Sequence, residues 1–290
     1  MKLKAKLILT LLLVGLIAVF ASGCVEDTPV DDEAMDGADT SGTEDLDSED
    51  ADDDVSDEDE MTEGDHMADS DEYDPVIDPE NFVEVIDNPY FPLIPGTTFI
   101  YEGENEDGDL ERNEVSVTDD TRVVMGVTTT VVWDRVWEDG ELIEETFDWY
   151  AQDKDGNVWY FGEDSKEYED GKFVSDEGSW ESGIDDAKPG IVMKMAPVVG
   201  DVYRQEYLVG EAEDMAEVIS LTETVTVEYG TFENCLVTKE WTPLEPGVEE
   251  QKYYAKGVGP LLEEVTLGGS GQLELIEIIA PSVVIGGNNY

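Results

Sequence analysis

The fold is decided by residues 129–151, which read TTVVWDRVWEDGELIEETFDWYA. Two runs of alternating side chains, 129–137 and 142–151, lie on either side of Asp139-Gly140. Alternation with a period of two is typical of strands, and Asp-Gly is a preferred dipeptide of tight hairpin turns. Both runs are also rich in aromatic and β-branched residues, which favour strands. This stretch therefore predicts two antiparallel strands joined by a hairpin.

The same pattern continues along most of the chain after residue 81. Turn residues at 153–157 and at Asp170-Gly171 separate short apolar runs. Further strands are predicted at residues 158–161, 201–208, 218–229, 232–241, 250–255, 261–267 and 273–279. Helical periodicity is weak, and the best short candidate is 212–218. We therefore predict an all-β fold, a curved antiparallel meander that forms a barrel, half-barrel or sandwich.

The composition excludes several classes of function. The 290 residues include 74 Asp and Glu but only 15 Lys and Arg, for a net charge of -59. Such a chain repels phosphate groups, so we expect no nucleic-acid partner. One His and two Cys are too few for a multi-His metal site or a four-thiolate cluster, so no metal centre and no cofactor are expected. Acidic residues are so numerous that no pair stands out, and no catalytic residue is assigned.

The beginning of the chain has the features of an export signal. Three lysines among the first six residues precede an apolar stretch, 7–20, that is too short to span a bilayer comfortably. Small residues at 21–23 then lead to Cys24, and this run resembles the lipobox of exported lipoproteins. The resemblance implies a signal peptide at 1–23, lipid attachment at Cys24 and a place on the extracytoplasmic face of the cell membrane. The alternatives are an ordinary cleaved signal or an uncleaved anchor.

Residues 24–80 are predicted to form a disordered acidic spacer. Positions 25–80 hold 27 acidic residues and no Lys or Arg, and apolar residues are scarce. Such a segment buries too little apolar surface to offset its chain entropy. Loose association of divalent cations with its carboxylates is the functional alternative to a plain spacer. The single His, His66, lies in this segment, so Cys235 has no neighbouring base and is predicted to be a small buried hydrophobe.

Residues 81–290 are predicted to be the antiparallel β domain, with aromatic side chains on one face. Trp133 and Trp137 share a parity with Arg135, and Lys239 shares one with Trp241. If the rings point inward, so do these cations, and Glu145 is the expected partner of Arg135 across the hairpin. We predict a site for an apolar or anionic small ligand, with core packing as the alternative reading. The predicted ligand-binding residues are Arg135, Lys239, Trp133, Trp137 and Trp149.

Two further stretches resemble prokaryotic exported lipoproteins of unassigned function. They are NPYFPLIPGTTF at 88–99, and YGTFENCLV at 229–237 followed by KYYAKGVG at 252–259. The resemblance implies a curved, barrel-like antiparallel fold and supplies no catalytic residue. We therefore expect a membrane-anchored extracytoplasmic lipoprotein of unassigned activity, acting as a non-enzymatic ligand-binding or envelope-associated module. The alternatives are a carboxylate-dependent hydrolase and a purely structural acidic surface protein.

Overall fold

A computed structural model describes residues 73–281 of the chain. The predicted signal peptide, Cys24, most of the predicted spacer, and residues 282–290 lie outside the described residues. Residues 73–281 form one antiparallel sheet of sixteen strands, preceded by a single 3-10 turn at Pro79–Asn81. The strands are β1 (Phe82–Val83), β2 (Thr98–Glu104), β3 (Leu110–Val124), β4 (Val127–Glu138), β5 (Glu141–Asp153), β6 (Val158–Glu169), β7 (Lys172–Ser175), β8 (Trp180–Glu181), β9 (Lys188–Met193), β10 (Val202–Arg204), β11 (Glu206–Tyr207), β12 (Met215–Val227), β13 (Gly230–Trp241), β14 (Glu249–Ala255), β15 (Gly259–Leu267) and β16 (Gln272–Ile279).

The predicted all-β class is confirmed, and the deciding hairpin is β4–β5. Asp139 and Gly140 form its turn with φ of 49° and 85°. Positive φ at both central residues is what a tight hairpin turn between twisted strands requires. The chain therefore reverses where the sequence predicted.

Two local interpretations need correction, and one long strand was not predicted. The best short helix candidate, 212–218, is not a helix, because Ala212 forms a bridge with Leu208 and β12 begins at Met215. Good helix formers lie there, but pairing with β13 overrides their propensity. The single strand predicted at 201–208 is two short strands, β10 and β11, which pair with different partners. No prediction covered β3, whose sequence is mostly polar because much of the strand is exposed.

Along the sheet, neighbouring strands follow the order β10-β12-β13-β14-β15-β16-β2-β3-β4-β5-β6-β9-β11. Because β16 pairs with β2, the last described strand closes against the first long one. At the other end of this order, β9 and β10 are in contact, so the sheet is a nearly closed barrel. Closure of this kind leaves only short edges. Within residues 73–281, no helix is long and apolar enough to cross a membrane.

The sheet buries side chains in two apolar clusters. The larger one fills the inside of the sheet and includes Tyr150, Tyr160 and Leu236. Cys235 belongs to it and is fully buried, as the sequence predicted. The second cluster contains Trp149 and Phe161, and Phe82 of β1 packs against it. Ile77 also contacts this second cluster, so packing begins shortly before the domain boundary predicted at residue 81.

Gly190 allows β9 and β11, the last two strands in the sheet order, to lie close together. Gly190 of β9 pairs with Tyr160 of β6, and the neighbouring Pro189 pairs with Glu206 of β11. A Cβ atom at Gly190 would overlap the backbone carbonyl of Gln205 and lie 2.6 Å from the Glu206 nitrogen. The absence of a side chain at this position therefore lets β11 approach β9 closely.

Candidate functional site

Both faces of β4 carry apolar side chains, and the structure shows which of them are buried. Val132, Asp134 and Val136 are buried, whereas Trp133 and Arg135 are half-buried on the outer face. The condition that the aromatic rings of β4 point inward is therefore not met at Trp133. The core is filled by the smaller valine side chains and by a carboxyl group.

On the outer face, aromatic and cationic side chains contact one another from β4 across to β6, and we name this set the outer ladder. It consists of Trp137, Arg135, Trp133, Phe147 and Lys166. The Arg135 guanidinium carbon lies 3.9 Å from the centroid of the Trp133 ring and 5.0 Å from that of Trp137. The Trp133 and Phe147 rings are parallel within 2°, with centroids 6.1 Å apart, and Lys166 Nζ lies 5.6 Å from the Phe147 centroid. The members of the ladder thus cover one another, which stabilises the outer face.

Arg135 forms its ion pair within the outer face but not with the residue that the sequence suggested. Glu145 is opposite Arg135 in the β4–β5 register, as expected. The Arg135 guanidinium instead donates to Glu114 of β3, at 2.8 Å. Glu145 accepts hydrogen bonds from Trp133 Nε1 at 3.0 Å and from the Tyr168 hydroxyl at 3.2 Å. The predicted Arg135–Glu145 ion pair is therefore replaced by a pair with the strand on the other side.

The structure does not bring the five predicted ligand-binding residues to one place. Lys239 of β13 is separated from β4 by five strands of the sheet, and its Nζ pairs with Glu217 at 2.8 Å. Trp149 lies in the second cluster, with the Arg122 guanidinium carbon 3.9 Å from its ring centroid. Ligand binding by these residues stays a prediction. Their charged members already have acidic partners in the protein.

The unusual feature of this fold is a set of buried carboxyl groups, which we name the interior carboxyls. They come from eight strands, and each of these residues is at most 6% exposed. The interior carboxyls are Glu111, Asp134, Glu144, Asp148, Glu163, Glu206, Glu240, Glu250 and Glu263. Buried carboxyl groups in such number are rare because ionised groups lose their hydration on burial. This is the candidate functional site that the sequence reading missed.

Burial raises the pKa of several interior carboxyls towards or above neutrality. It raises the pKa of Glu111 to about 8, with the charges of Glu138 and Asp134 adding to the effect. Burial also raises the pKa of Asp134 to about 7, although a hydrogen bond from Asn113 Nδ2 at 2.5 Å and the charge of Arg135 act in the opposite direction. Proton binding in the interior is therefore expected at neutral pH.

On the β13–β15 side of the interior, one cation lies among these acids. Lys252 Nζ is 3.0 Å from Glu240 Oε2 and 3.5 Å from Glu263 Oε2. Burial alone would lower the pKa of the Lys252 amine, but Glu240, Glu263 and Glu250 together raise it well above its usual value. Lys252 is therefore charged and compensates part of the interior negative charge.

On the β5–β6 side, two carboxyls are joined by a phenol. Asp148 and Glu163 are direct register partners on adjacent strands. The Tyr160 hydroxyl oxygen lies 2.8 Å from Asp148 Oδ1 and 2.8 Å from Glu163 Oε2. Burial raises the pKa of both carboxyls well above the usual range, and the charge of Asp148 raises that of Glu163 further. We name these three residues the carboxyl–phenol triad.

A small cavity borders this region. It has a volume of about 30 Å³ and is lined mainly by apolar groups, including Phe91, Leu93 and Tyr101, with Asp134 and Asp148 as its acidic wall. A cavity must offer at least roughly 10–15 Å³ of such space to hold a water molecule, so this one is of the size that holds water. The cavity therefore has no room for a lipid or a sugar. Within residues 73–281, no three His, Cys, Asp or Glu side chains form a group that could hold a metal ion.

A larger but open groove lies on the outer surface beside β2 and β16. Its volume is about 700 Å³, and glutamates form much of its wall. These glutamates are Glu102, Glu104, Glu228, Glu264 and Glu274. Glu102 already pairs with Arg112 at 2.6 Å, and Glu264 accepts a hydrogen bond from the Tyr253 hydroxyl at 2.7 Å. The groove therefore adds an acidic recess to an acidic surface.

The fold and interior define an antiparallel, nearly closed β domain with a carboxyl-rich inside. No protein-family model matches the chain, and no curated protein matches it. Two solved structures align over 66% of this chain and 99% of their own. One, from Bacteroides fragilis NCTC 9343, is provisionally described as an exported protein with a YmcC-like fold, with 16% identity and a TM-score of 0.41. The other, from Parabacteroides distasonis ATCC 8503, is provisionally described as a lipoprotein, with 12% identity and a TM-score of 0.38.

Proposed function

We propose that this chain is a lipid-anchored extracytoplasmic protein whose β domain is a non-enzymatic, envelope-associated module acting through its outer surface. One structural observation carries the choice of the outer surface, namely the cavity volume of about 30 Å³. Sites for small molecules usually measure about 300–1,000 Å³. A carrier of a lipid or small acid would need a far larger interior space.

The same observation weighs against the hydrolase alternative. A glycosidase, for example, holds its substrate between two carboxyl groups. Asp134 and Asp148 do border the cavity, but the space beside them accommodates about one water molecule. The chemistry of the interior carboxyls is therefore better explained by proton binding than by turnover of a substrate.

The anchor in this proposal is supported by the sequence. The basic start, the apolar stretch and the small residues before Cys24 together resemble a lipoprotein signal. The acidic segment that follows would keep the domain away from the membrane surface, since its charges repel one another. The strongly acidic domain would itself be repelled by anionic lipid, so a covalent anchor supplies the attachment.

Substitution of Cys24 tests the anchor directly. We expect the full-length chain, expressed in a host that processes lipoproteins, to fractionate with membranes and to carry an acyl mass on the peptide that begins at Cys24. The Cys24→Ser variant should move to the soluble fraction. Cys235→Ser is the matched control, because its thiol is buried in the β domain, and it should stay with the membranes. Membrane association of Cys24→Ser equal to that of the unchanged chain would overturn the lipid anchor in favour of an uncleaved helix.

A second measurement tests the role of the outer surface. Native mass spectrometry of the full-length chain, followed by organic extraction, should find no non-covalently bound lipid or small acid at near-unit occupancy. A non-covalently retained ligand at near-unit occupancy would contradict the proposal, because it would show a binding site for a small molecule.

A further inference from the structure

The carboxyl–phenol triad needs more protons than its phenol supplies. A tyrosine hydroxyl carries one proton and can donate it to a single acceptor, while its oxygen can accept a hydrogen bond. The Tyr160 hydroxyl oxygen lies 2.8 Å from an oxygen of Asp148 and 2.8 Å from an oxygen of Glu163. Two ionised carboxylates would leave one of these contacts without a proton between the two oxygens. Both contacts are satisfied when one of the carboxyl groups is protonated and donates to the phenol.

The charges around the triad make ionisation of both carboxyls unfavourable. Asp134 of β4 acts on Asp148, while Glu144 of β5 and Glu206 of β11 act on Glu163. Each of these neighbours is acidic, and Tyr150 of β5 adds a buried phenol beside them. Two cations act on the acidic neighbours of the triad. Lys252 lowers the pKa of Glu206, and Arg135 lowers that of Asp134 from the outer face.

Two independent features beside the triad also point to a bound proton. Glu206 is 2% exposed, and its Oε2 atom has no hydrogen-bond partner among residues 73–281. A buried carboxylate oxygen without a partner is costly, and a proton on the carboxyl group reduces that cost. The cavity of about 30 Å³ touches Asp148, so there is space of about one water molecule next to the triad.

We propose that Asp148, Tyr160 and Glu163 form a buried proton-binding site, and that loss of its proton weakens the β5–β6 side of the domain as the solution becomes alkaline. The folded protein then holds a proton that the unfolded chain, with ordinary carboxyl groups, releases above about pH 4. Where the folded state binds more protons than the unfolded state, stability falls as pH rises. The site therefore stabilises the fold fully in acid and progressively less above the ordinary carboxyl range.

The experiment compares the pH dependence of unfolding of the full-length chain and its Asp148→Asn variant. An amide at position 148 can donate to the phenol oxygen, so the contact no longer needs the shared proton. Urea unfolding followed by tryptophan fluorescence between about pH 5 and 7 gives the unfolding constant. Each additional proton held by the folded state makes this constant rise about tenfold per pH unit. For each pH unit, the factor by which the unfolding constant rises should be about ten times smaller for Asp148→Asn than for the unchanged chain.

Asp119→Asn is the matched control, because Asp119 is exposed on β3, and its slope should equal that of the unchanged chain. Equal slopes for Asp148→Asn and the unchanged chain would overturn the proposal.

If Asp148→Asn does not fold, carboxyl carbon-13 NMR of the unchanged full-length chain decides the question. One carboxyl of the triad should remain protonated at about pH 6, where ordinary carboxyl groups are ionised. Full ionisation of both Asp148 and Glu163 at that pH would refute the site.

Discussion

Replacement of Lys252 by Met should destabilise the fold strongly. The amine lies on β14 with Glu240 Oε2 at 3.0 Å and Glu263 Oε2 at 3.5 Å. The Lys252 and Glu240 side chains are each 7% exposed and that of Glu263 is 3% exposed, so water does little to screen the three charges. Met has a similar length and fills the same space without a charge. The variant therefore isolates the loss of the cation from the loss of packing.

The expected size of the effect follows from this burial. Removal of one partner from a buried ion pair costs about 3–5 kcal/mol, because the remaining charge stays buried without compensation. This corresponds to a rise in the unfolding constant of roughly 10²–10⁴-fold. The loss of stability caused by Lys252→Met should be smaller at acidic pH than at neutral pH. Burial already raises the pKa values of Glu263 and Glu250, and Lys252 acts in the opposite direction. Without the amine these two pKa values rise further, so the folded variant binds protons that the unfolded chain has released, and it gains stability as pH falls.

Urea unfolding at about pH 7 and about pH 5 measures both parts of this prediction. Lys239→Met is the matched control. Lys239 lies 2.8 Å from Glu217, but the two side chains are 30% and 31% exposed. A pair exposed to this degree contributes about 0–1 kcal/mol. Equal losses for the two variants, or a loss for Lys252→Met that grows on acidification, would refute the argument that burial decides the effect.

Two further predictions concern packing. Gly190→Ala should destabilise the domain by about 1–3 kcal/mol, since the new Cβ would overlap the backbone of β11, whereas Gly230→Ala, whose Cβ would meet Phe232 at an ordinary 3.5 Å, should change stability much less. Thermal unfolding compares the two, and similar melting temperatures would contradict the close approach of β9 and β11. The Cys235 thiol is buried, and burial raises its pKa, so a thiol reagent should modify it only in urea. Rapid labelling in the folded state would show that β13 opens there.

The hairpin at β4–β5 could be predicted from the sequence because its turn and its alternation are both local signals. Asp139-Gly140 fixes the reversal, and the predicted strands agree with β4 and β5 to within two residues at each end. The inward face of β4 could not be predicted in the same way. Valines occupy one parity and tryptophans the other, so only packing against distant strands decides which set is buried.

The candidate site was hidden by the abundance of acids in the sequence. Residues 81–290 hold 47 acidic side chains, so an individual Glu or Asp carries little information. A weaker signal was present in the pattern around Asp134, which stands between Val132 and Val136 on the parity that the core uses. Contacts such as that between Asp148 and Tyr160 depend on the register of β5 and β6, which local sequence does not determine.

The pairing of β16 with β2 has a consequence for the kinetics of folding. Residues 272–279 must reach residues 98–104 before the ladder between them can form, and the loop that this closes contains more than half of the chain. Contacts between such distant segments slow folding, because chain entropy is lost before the contacts are gained. A nascent chain that lacks residues 272–279 therefore leaves one side of β2 without its partner. Slow closure of this kind keeps the chain unfolded for longer, which suits the export across a membrane that the proposed location requires.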